Sequence, residues 1–321
     1  MLRAMVATAA SATLPVRAAE PAFPWHPVTI VQPFGAGNVL DVYARRLAEA
    51  LAPLLGQPVI VETRPGASGN IAAGLVARAM PDGHTLLIHG VGIAIQPLIP
   101  DSHAPDPRVE LAPISRLSDQ PMVVTVNRAL GVRTLGELVA LARRKPGELA
   151  YGSSGIGGIQ HCATLLMCQR AGIDMIHVPF ANSMQTYTSL VSGDVALAFA
   201  FAGSVDAHIR AGTLVALAVT SASRFADMPD VPTVAESGYP GYAATAWTCM
   251  LATGGTPPST IDRLYKALAR VMAMPAIREM FRSNGASASA GTPAQFDAEL
   301  DEANRVWAPV VRALFPNGKV G

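Results

Sequence analysis

Ser153, Ser154 and His161 are the residue types that form a nucleophile and its general base, and they lie within one short stretch, GSSGIGGIQH. That stretch does not match the G-x-S-x-G pattern of a nucleophile elbow, and no acidic partner follows from position. A histidine at a helix start is more commonly a polar contact or a cap. An α/β hydrolase-like enzyme that uses Ser154 and His161 is therefore kept as an alternative to a binding function.

Three glycine-bearing loops share one pattern, in which each follows an apolar strand and precedes a helix. They are FGAGN (34–38), PGASGN (65–70) and GSSGIGG (152–158). The first backbone N–H groups of a helix have no intrahelical partner, and the helix dipole favours negative charge beside them. Ligands of open α/β sheets bind beyond the carboxyl ends of the strands. A single loop of this kind is explained by a tight turn, but three together predict a carboxylate site without Arg or Lys.

Asp41 follows the first loop and lies in the first turn of its helix. It is either an ordinary helix-start carboxylate or an acceptor for a ligand amine or an ordered water. The loop lacks the third glycine of G-x-G-x-x-G, and nothing in the chain matches the P-loop pattern. Neither metal nor cofactor is predicted, because metal-ligand spacing is missing among His84, His89, His103 and His177 and zinc spacing is missing among Cys162, Cys168 and Cys249.

Charge and length limit the class of protein. The 321 residues carry a net charge of +1, which gives no electrostatic case for nucleic acid or an anionic membrane surface. Residues 1–25 resemble a secretory signal peptide, with Arg3, an Ala-rich apolar stretch and small residues near Ala18. A disordered tail or an incorrectly chosen start is the alternative. Export to the periplasm as a monomer is the expectation.

Short apolar strands alternate with helical patterns, which predicts an α/β protein with mostly parallel sheets. The C-terminal helices have no strand partner nearby in sequence, so we expect them to return to the first block. This organisation predicts a discontinuous first lobe, 26–123 plus 250–321, and a second lobe, 124–249. Two chain crossings then form a hinge, with a ligand cleft between the lobes.

Several stretches in a fixed order resemble the Bug receptors, the periplasmic solute-binding proteins of tripartite tricarboxylate transporters. The resemblance runs from about Pro27 to the last helix. Its pieces are PVTIVQPFGAG…D, LLGQPVIVETRPGASGNIAA, ARAMPDGHTLL, SSGIGG…H, AGIDMIHVPF, HIRAGTLVALAVTSASR, MPDVPTVAESGYPGY and W…GGTPPSTIDRL.

The resemblance implies two α/β lobes of the type II periplasmic binding protein kind and a small carboxylate ligand. It also implies integral membrane subunits as partners, although some members of the family work with sensor proteins and have no transporter of their own. Carried over by position, the ligand-binding residues are Phe34, Ala36, Gly37, Asn38, Asp41, Ala67, Ser68, Asn70, Ser153, Ser154, Gly157, His161, Phe180 and Asn182.

The chain departs from the pattern of the family it resembles at several of these positions. Asn38 replaces an expected glycine, and Val39 and Leu40 replace a small residue and a hydroxyl residue. Further departures are Phe180-Ala181-Asn182 for Tyr-x-Gly, Ala200 for Asp and His84 for Tyr. These changes remove a hydroxyl and a carboxylate and add apolar surface. A less polar monocarboxylate, aromatic or branched, is therefore the predicted ligand, rather than citrate or aspartate.

Overall fold

The computed structural model describes residues 23–315, so the predicted signal peptide lies outside the described residues apart from 23–25. The strands are β1 (Val28–Gln32), β2 (Val59–Thr63), β3 (Thr85–Gly90), β4 (Leu111–Gln120), β5 (Met122–Asn127), β6 (Ala150–Ser153), β7 (Ile176–Pro179), β8 (Leu197–Phe201), β9 (Leu214–Val219), β10 (Ala246–Thr253) and β11 (Ser287–Ala288). The helices are α1 (Val39–Leu55), α2 (Asn70–Ala77), α3 (Gly92–Ile95), α4 (Leu135–Arg144), α5 (Ile159–Ala171), α6 (Ser183–Ser192), α7 (Ala202–Arg210), α8 (Pro258–Met272), α9 (Pro275–Ser283) and α10 (Pro293–Leu314).

The strands form two sheets. The first has six strands in the order β11-β4-β10-β3-β1-β2, and the second has five in the order β7-β6-β8-β5-β9. This two-lobed α/β arrangement confirms the predicted fold class. The prediction of mostly parallel sheets is wrong, because β10 pairs antiparallel with β3 and β4, and β5 pairs antiparallel with β8 and β9. Sequence periodicity reports burial and carries no information about strand direction.

The chain passes between the sheets twice. It leaves the first sheet after β4 and enters the second at β5, with Pro121 between them, and it returns from β9 to β10 through residues 220–245. The residue limits of the two lobes stay a prediction. The strands next to those limits are β5, which begins at Met122, and β10, which begins at Ala246.

Local sequence signals account for the ends of several helices. The side chain of Asn38 caps α1, which ends at Gly56 in the left-handed conformation. Thr292 opens α10 with a capping box to Gln295. Helix α2 ends at Ala77, four residues before Pro81. None of the helices in residues 23–315 is both long enough and apolar enough to cross a membrane.

The three C-terminal helices pack back on the first sheet, as predicted. Helix α8 contacts α1 and β4, and α9 contacts α1 and β11. Helix α10 contacts α3 and β4, and it also contacts α5, which belongs to the second lobe. Its buried residues include Phe296 and Trp307, which belong to a core cluster that continues into the second lobe. Helix α10 therefore joins the two lobes in addition to the two chain crossings.

Candidate functional site

Four loops lie at the carboxyl ends of two pairs of parallel strands. Strands β1 and β2 are parallel neighbours, so the loop before α1 and the loop before α2 lie side by side. Strands β6 and β7 are also parallel neighbours, which places the loops before α5 and α6 together at one edge of the second sheet. Thirteen of the fourteen predicted site residues lie in these loops or in the first turn of the helices that follow them, and Ser153 is the last residue of β6.

The first loop is closed by its own side chains. Asn38 Oδ1 accepts from the backbone N–H groups of Leu40 (2.7 Å) and Asp41 (3.2 Å). Asp41 Oδ2 accepts from Arg45 Nε at 3.1 Å and from the Gly37 N–H at 3.0 Å. The hydrogen bond from Arg45, followed by the one from Gly37, holds the pKa of Asp41 below its ordinary value. Asn38 and Asp41 therefore shape the loop, and their hydrogen bonds are made within it.

Gln32, at the end of β1, holds the other side of this loop and was not predicted from the sequence. Its side chain is fully buried, where Oε1 accepts from the Phe34 N–H at 3.0 Å and Nε2 donates to the Phe34 carbonyl at 2.6 Å. Nε2 also donates to Thr63 Oγ1 at 2.8 Å, which ties the loop to β2. The Phe34 ring remains 39% exposed, and Ala36 is exposed.

The second loop packs on His89. Gly69 has a φ of +97°, and a Cβ built there would lie 2.3 Å from His89 Nε2. Only glycine allows this approach. Ala67 and Ser68 also have positive φ, at 47° and 55°. Asn70 Nδ2 donates to the Ser102 carbonyl at 3.2 Å.

His89 is buried and neutral. Its Nδ1 lies 2.9 Å from the Gly90 carbonyl, so Nδ1 carries the ring proton. Nε2 is buried without a hydrogen-bond partner in the described chain. Burial lowers the pKa of His89 to about 4, so the ring has no charge at neutral pH.

The third loop separates the two residues of the enzyme alternative. The Ser154 N–H donates to Gln160 Oε1, and no hydrogen bond joins Ser154 to His161 among the described residues. Ser153 Oγ instead lies 2.7 Å from His177 Nε2, but Ser153 is fully buried. Within the described chain no carboxylate is hydrogen-bonded to His177. This geometry does not favour a nucleophile with an oriented base.

His161 is a neutral hydrogen-bond donor at the start of α5. Its Nδ1 accepts from the Gly157 N–H at 3.1 Å, which places the ring proton on Nε2. The ring stacks on His177 with centroids 3.7 Å apart. Burial, together with the neighbouring His177, lowers the pKa of His161 to about 4, and burial alone lowers that of His177 to about 4. The Nε2–H group has no hydrogen-bond partner among the described residues, so it is available to a ligand.

Gln160 is the centre of the hydrogen bonds that join the third and fourth loops, and it was also not predicted. It is fully buried, and its Nε2 donates to the Phe199 carbonyl (2.8 Å) and to Tyr187 Oη (3.1 Å). Its Oε1 accepts from the Ser154 N–H at 3.1 Å and from Ser183 Oγ at 3.4 Å. One side chain thus connects the third loop, β8 and the start of α6.

The fourth loop carries Phe180 and Asn182. The Phe180 N–H donates to the Ser153 carbonyl at 2.9 Å, and the ring packs close to Gly152. Asn182 is exposed and caps α6, where its Oδ1 accepts from the Gln185 N–H at 3.0 Å. The capping role of Asn182 parallels that of Asn38 in the first loop.

The loops offer neutral donors rather than charged ones. In the described part of the chain, the backbone N–H groups of Gly35, Ala36 and Ile156 have no hydrogen-bond partner. The two arginines next to the first and second loops are paired, since Arg45 binds Asp41 and Arg64 Nε donates to Glu62 at 2.6 Å. The arrangement can therefore bind an anion through backbone and imidazole N–H groups.

The two lobes approach each other at Gly157. Gly157 has a φ of +72°, and a Cβ built there would lie 2.4 Å from Ile99 Cδ1, which lies between β3 and β4 of the first sheet. A groove of about 960 Å³ lies elsewhere, between α5 and α10, with Phe225 and Trp247 in its walls and none of the predicted site residues. Gly157 is thus the predicted site residue at which the two lobes contact each other.

The lowered pKa values of His89, His161 and His177 predict a loss of stability in acid. Unfolded imidazoles have a pKa of about 6.5, whereas His89, His161 and His177 titrate at about 4 in the folded chain. Between these values the unfolded state binds more protons, so the free energy of unfolding falls as the pH decreases from about 6.5 to about 4. Each proton of difference contributes a slope of about 1.4 kcal/mol per pH unit. Urea unfolding at a series of pH values measures this slope.

A matched pair of variants tests which groups are responsible. The slope is set by the difference in bound protons between the unfolded and folded states. In His177→Gln this difference should be smaller by about one proton, so the slope should be shallower. His208→Gln, at an exposed position of α7, should leave it unchanged. An identical slope in the wild type, His177→Gln and His208→Gln would contradict the assignment of part of the slope to His177.

Two α/β lobes, each with a pair of loops at the carboxyl ends of parallel strands, have the architecture of a two-lobed ligand-binding protein. Residues 43–314 match the family described as "Tripartite tricarboxylate transporter family receptor". The chain belongs to this family, which confirms the resemblance read from the sequence.

Relatives of known structure or name cover nearly the whole chain. The chain is 35% identical over 296 residues to Protein BugT of Bordetella pertussis, covering 90% of each protein. It is 30% identical to Rpa4515 of R. palustris, solved with adipate, with a TM-score of 0.77 over 90% of this chain and 97% of that one. It is 29% identical to MatC from Rhodopseudomonas palustris, solved with bound malate, with a TM-score of 0.75 over 90% of this chain and 100% of that one.

Proposed function

We propose that the protein is an extracytoplasmic receptor that captures a small carboxylate between its lobes and delivers it to the integral membrane subunits of a transporter. The observation that carries the proposal is the set of neutral N–H donors, at Gly35, Ala36, Ile156 and His161 Nε2, in loops whose neighbouring arginines are already paired. Adipate and malate in the two related structures are small carboxylates, which supports the same class of ligand here.

The energetics of such a site are sufficient without a formal positive charge. A helix N-terminus contributes about 0.3–1 kcal/mol to an exposed anion and more when the anion is desolvated. Hydrogen bonds to a charged acceptor contribute about 1.5–3 kcal/mol each. Several of these contacts together reach the roughly −8 kcal/mol of a micromolar complex. The fourteen predicted residues remain our proposal for the site, with Asn38, Asp41 and Asn182 acting through the shape of their loops.

The ligand we propose is less polar than a tricarboxylate and carries one carboxylate on an aromatic or branched body. Phe34 in the first loop and Val39, the first residue of α1, are large apolar residues that remain exposed by 39% and 37%. Leu40 and Ala200 are buried, so they reduce polarity behind the loops without reaching the surface. His84 belongs to a different place, because it precedes β3 whereas the loops follow β1 and β2.

A thermal-shift panel tests both the function and the ligand class. Benzoate, 4-hydroxybenzoate and isovalerate should raise the melting temperature more than citrate, aspartate, glutamate, malate or adipate, and benzamide is the uncharged control. The largest shift from one of the polyacids or acidic amino acids would refute the ligand class and leave the receptor function standing. No shift from any carboxylate would contradict the receptor function itself.

Export, partners and assembly complete the proposal. Residues 1–25 act as a signal peptide, the mature protein works as a periplasmic monomer, and transporter subunits accept the ligand. A sensory receptor without its own transporter would bind the ligand in the same way. The protein partner therefore distinguishes a transport receptor from a sensory receptor. Co-purification with a multi-span membrane protein after crosslinking in cells supports transport, whereas crosslinking only to a sensor protein contradicts it.

A further inference from the structure

A second polar cluster lies at the amino ends of strands β1 and β3, opposite the carboxyl ends of the strands, where the first and second loops lie. His26 precedes β1 and His84 directly precedes β3, and the parallel pairing of Thr29 with Thr85 brings these two strand starts together. The imidazole rings of His26 and His84 stack with centroids 3.6 Å apart. Asp82 lies beside them, in the turn before β3. Nothing in the receptor function uses these three side chains.

His84 is a buried polar group whose hydrogen bonds are not made. Its side chain is 3% exposed, and neither ring nitrogen has a hydrogen-bond partner among the described residues. Nδ1 nevertheless lies only 3.3 Å from Asp82 Oδ1. A buried polar atom without a partner costs about 1–3 kcal/mol, so native proteins rarely leave one without a role. In the unprocessed chain the rings of Phe23 and Trp25 pack edge-on against His84. Removal of residues 1–25 with the signal peptide leaves His26 as the first residue beside His84 and opens the cluster to solvent.

His26 also has a ring nitrogen that is free to bind a metal ion. Its Nδ1 lies 3.0 Å from the Pro27 carbonyl, so the ring proton is on Nδ1 and the lone pair of Nε2 is free. Metal-binding histidines commonly donate their other ring N–H to a backbone carbonyl in this way. The His26 side chain is exposed and can turn towards the other two groups.

Two imidazoles and one carboxylate are a ligand set of the zinc type. The ligand atoms of His26, Asp82 and His84 all lie within 4.8 Å of one another. In a tetrahedral zinc site with bonds of about 2.0–2.1 Å, neighbouring ligand atoms are about 3.3 Å apart. A movement of roughly 1–1.5 Å by exposed His26 therefore closes the site. We propose that these three residues bind one borderline divalent cation of the Zn²⁺ class, with a fourth position left to water.

Binding at this place links the start of the folded chain to the turn before β3. Because the cation binds the folded chain through residues that are far apart in sequence, it stabilises that state by mass action. Gly83 makes the turn close-packed, since a Cβ there would meet Thr260 and Phe23. The site is independent of the carboxylate site, so its success or failure does not bear on the receptor function.

Zinc titration of tag-free, chelator-treated protein tests the proposal. Calorimetry with ZnCl₂ should give one equivalent bound, and zinc should raise the melting temperature. His26→Gln and Asp82→Asn should each weaken zinc binding by at least about tenfold. His26 is exposed, so its replacement leaves the fold intact. Asp82→Asn keeps a side-chain oxygen for the backbone N–H of His84, which donates to Asp82 Oδ1 at 2.9 Å. His208→Gln, on α7, is the control and should bind zinc as the wild type does.

A spectroscopic readout makes the outcome decisive. Cobalt in place of zinc should give the visible absorption of a four- or five-coordinate ion in the wild-type protein, and His26→Gln should abolish it. Absence of zinc binding in the wild type, or equal affinity in the wild type and both variants, would overturn the proposal.

Discussion

Gly157→Ala is expected to weaken binding of the carboxylate ligand by at least about tenfold, or about 1.4 kcal/mol. The new Cβ would lie 2.4 Å from Ile99 Cδ1, so the Ile99 side chain must be displaced before the two lobes can approach each other at this point. Ligand affinity depends on that approach, because donors from both lobes must reach one carboxylate. Calorimetry with the carboxylate that gives the largest thermal shift measures the effect.

Gly131→Ala separates the contact between lobes from backbone strain. Gly131 has nearly the same φ, +75° against +72°, but nothing lies within 4 Å of its Cβ position. Both variants should lose a similar stability of about 1–2 kcal/mol, because both place an L-residue in the left-handed region. Only Gly157→Ala should lose affinity. Wild-type affinity in Gly157→Ala would contradict the closed contact between Gly157 and Ile99.

Gln160→Leu is expected to lower the free energy of unfolding by about 3–5 kcal/mol. Leucine fills the space but leaves the Ser154 N–H, the Phe199 carbonyl and Tyr187 Oη without the partner that Gln160 provides. The third loop also loses its connection to the start of α6, so ligand affinity should fall with stability. Urea unfolding and calorimetry measure the two losses.

Gln169→Leu is the matched control in the same helix. Gln169 is exposed, so its replacement should change the free energy of unfolding by less than about 0.5 kcal/mol. A similar small change in Gln160→Leu would show that the buried hydrogen bonds do not organise the loops.

The strand–loop–helix units were predictable because their signals are local. An apolar run, a glycine-bearing turn and a cap such as Asn38 stand next to one another in the sequence, and the structure has α1 beginning where they meet. The loop before α5 has the same order of strand, glycine-bearing turn and helix, but its N-cap is Gly158, which has no capping side chain. These local signals also predicted that the loops would lie beyond strand ends, which requires no knowledge of strand order.

The side chains that organise the loops could not be found in this way. Gln32, Gln160 and His89 are buried polar residues, and a polar residue in the sequence predicts exposure. Their role appears only when tertiary structure brings a carbonyl or an N–H group to them, as Phe199 and Ser154 are brought to Gln160. The structure identifies such residues by their burial, because a buried polar side chain at the end of a strand or in the first turn of a helix indicates a role in organising a loop.

Strand direction and long-range pairing were also beyond the sequence. Strand β4 mixes Arg116, Ser118 and Asp119 with apolar residues, so it carries no clear alternation, and its partner β10 lies far along the chain. His26 and His84 are likewise distant in sequence, and the register of β1 with β3 alone brings them together. Residue spacing in the sequence therefore gave no indication of a metal site. The structure nevertheless brings two imidazoles and a carboxylate together there.

Native mass spectrometry of protein purified from the periplasm without refolding is the most direct test of the receptor function. In the proposed function the two lobes close over the ligand, so we predict a retained 1:1 adduct that tandem fragmentation identifies as a small carboxylate. The same adduct should be depleted in Gly157→Ala. Protein isolated without an adduct should form a 1:1 complex on addition of the carboxylate panel. An adduct without a carboxylate, or failure of every added carboxylate to bind, would contradict the account.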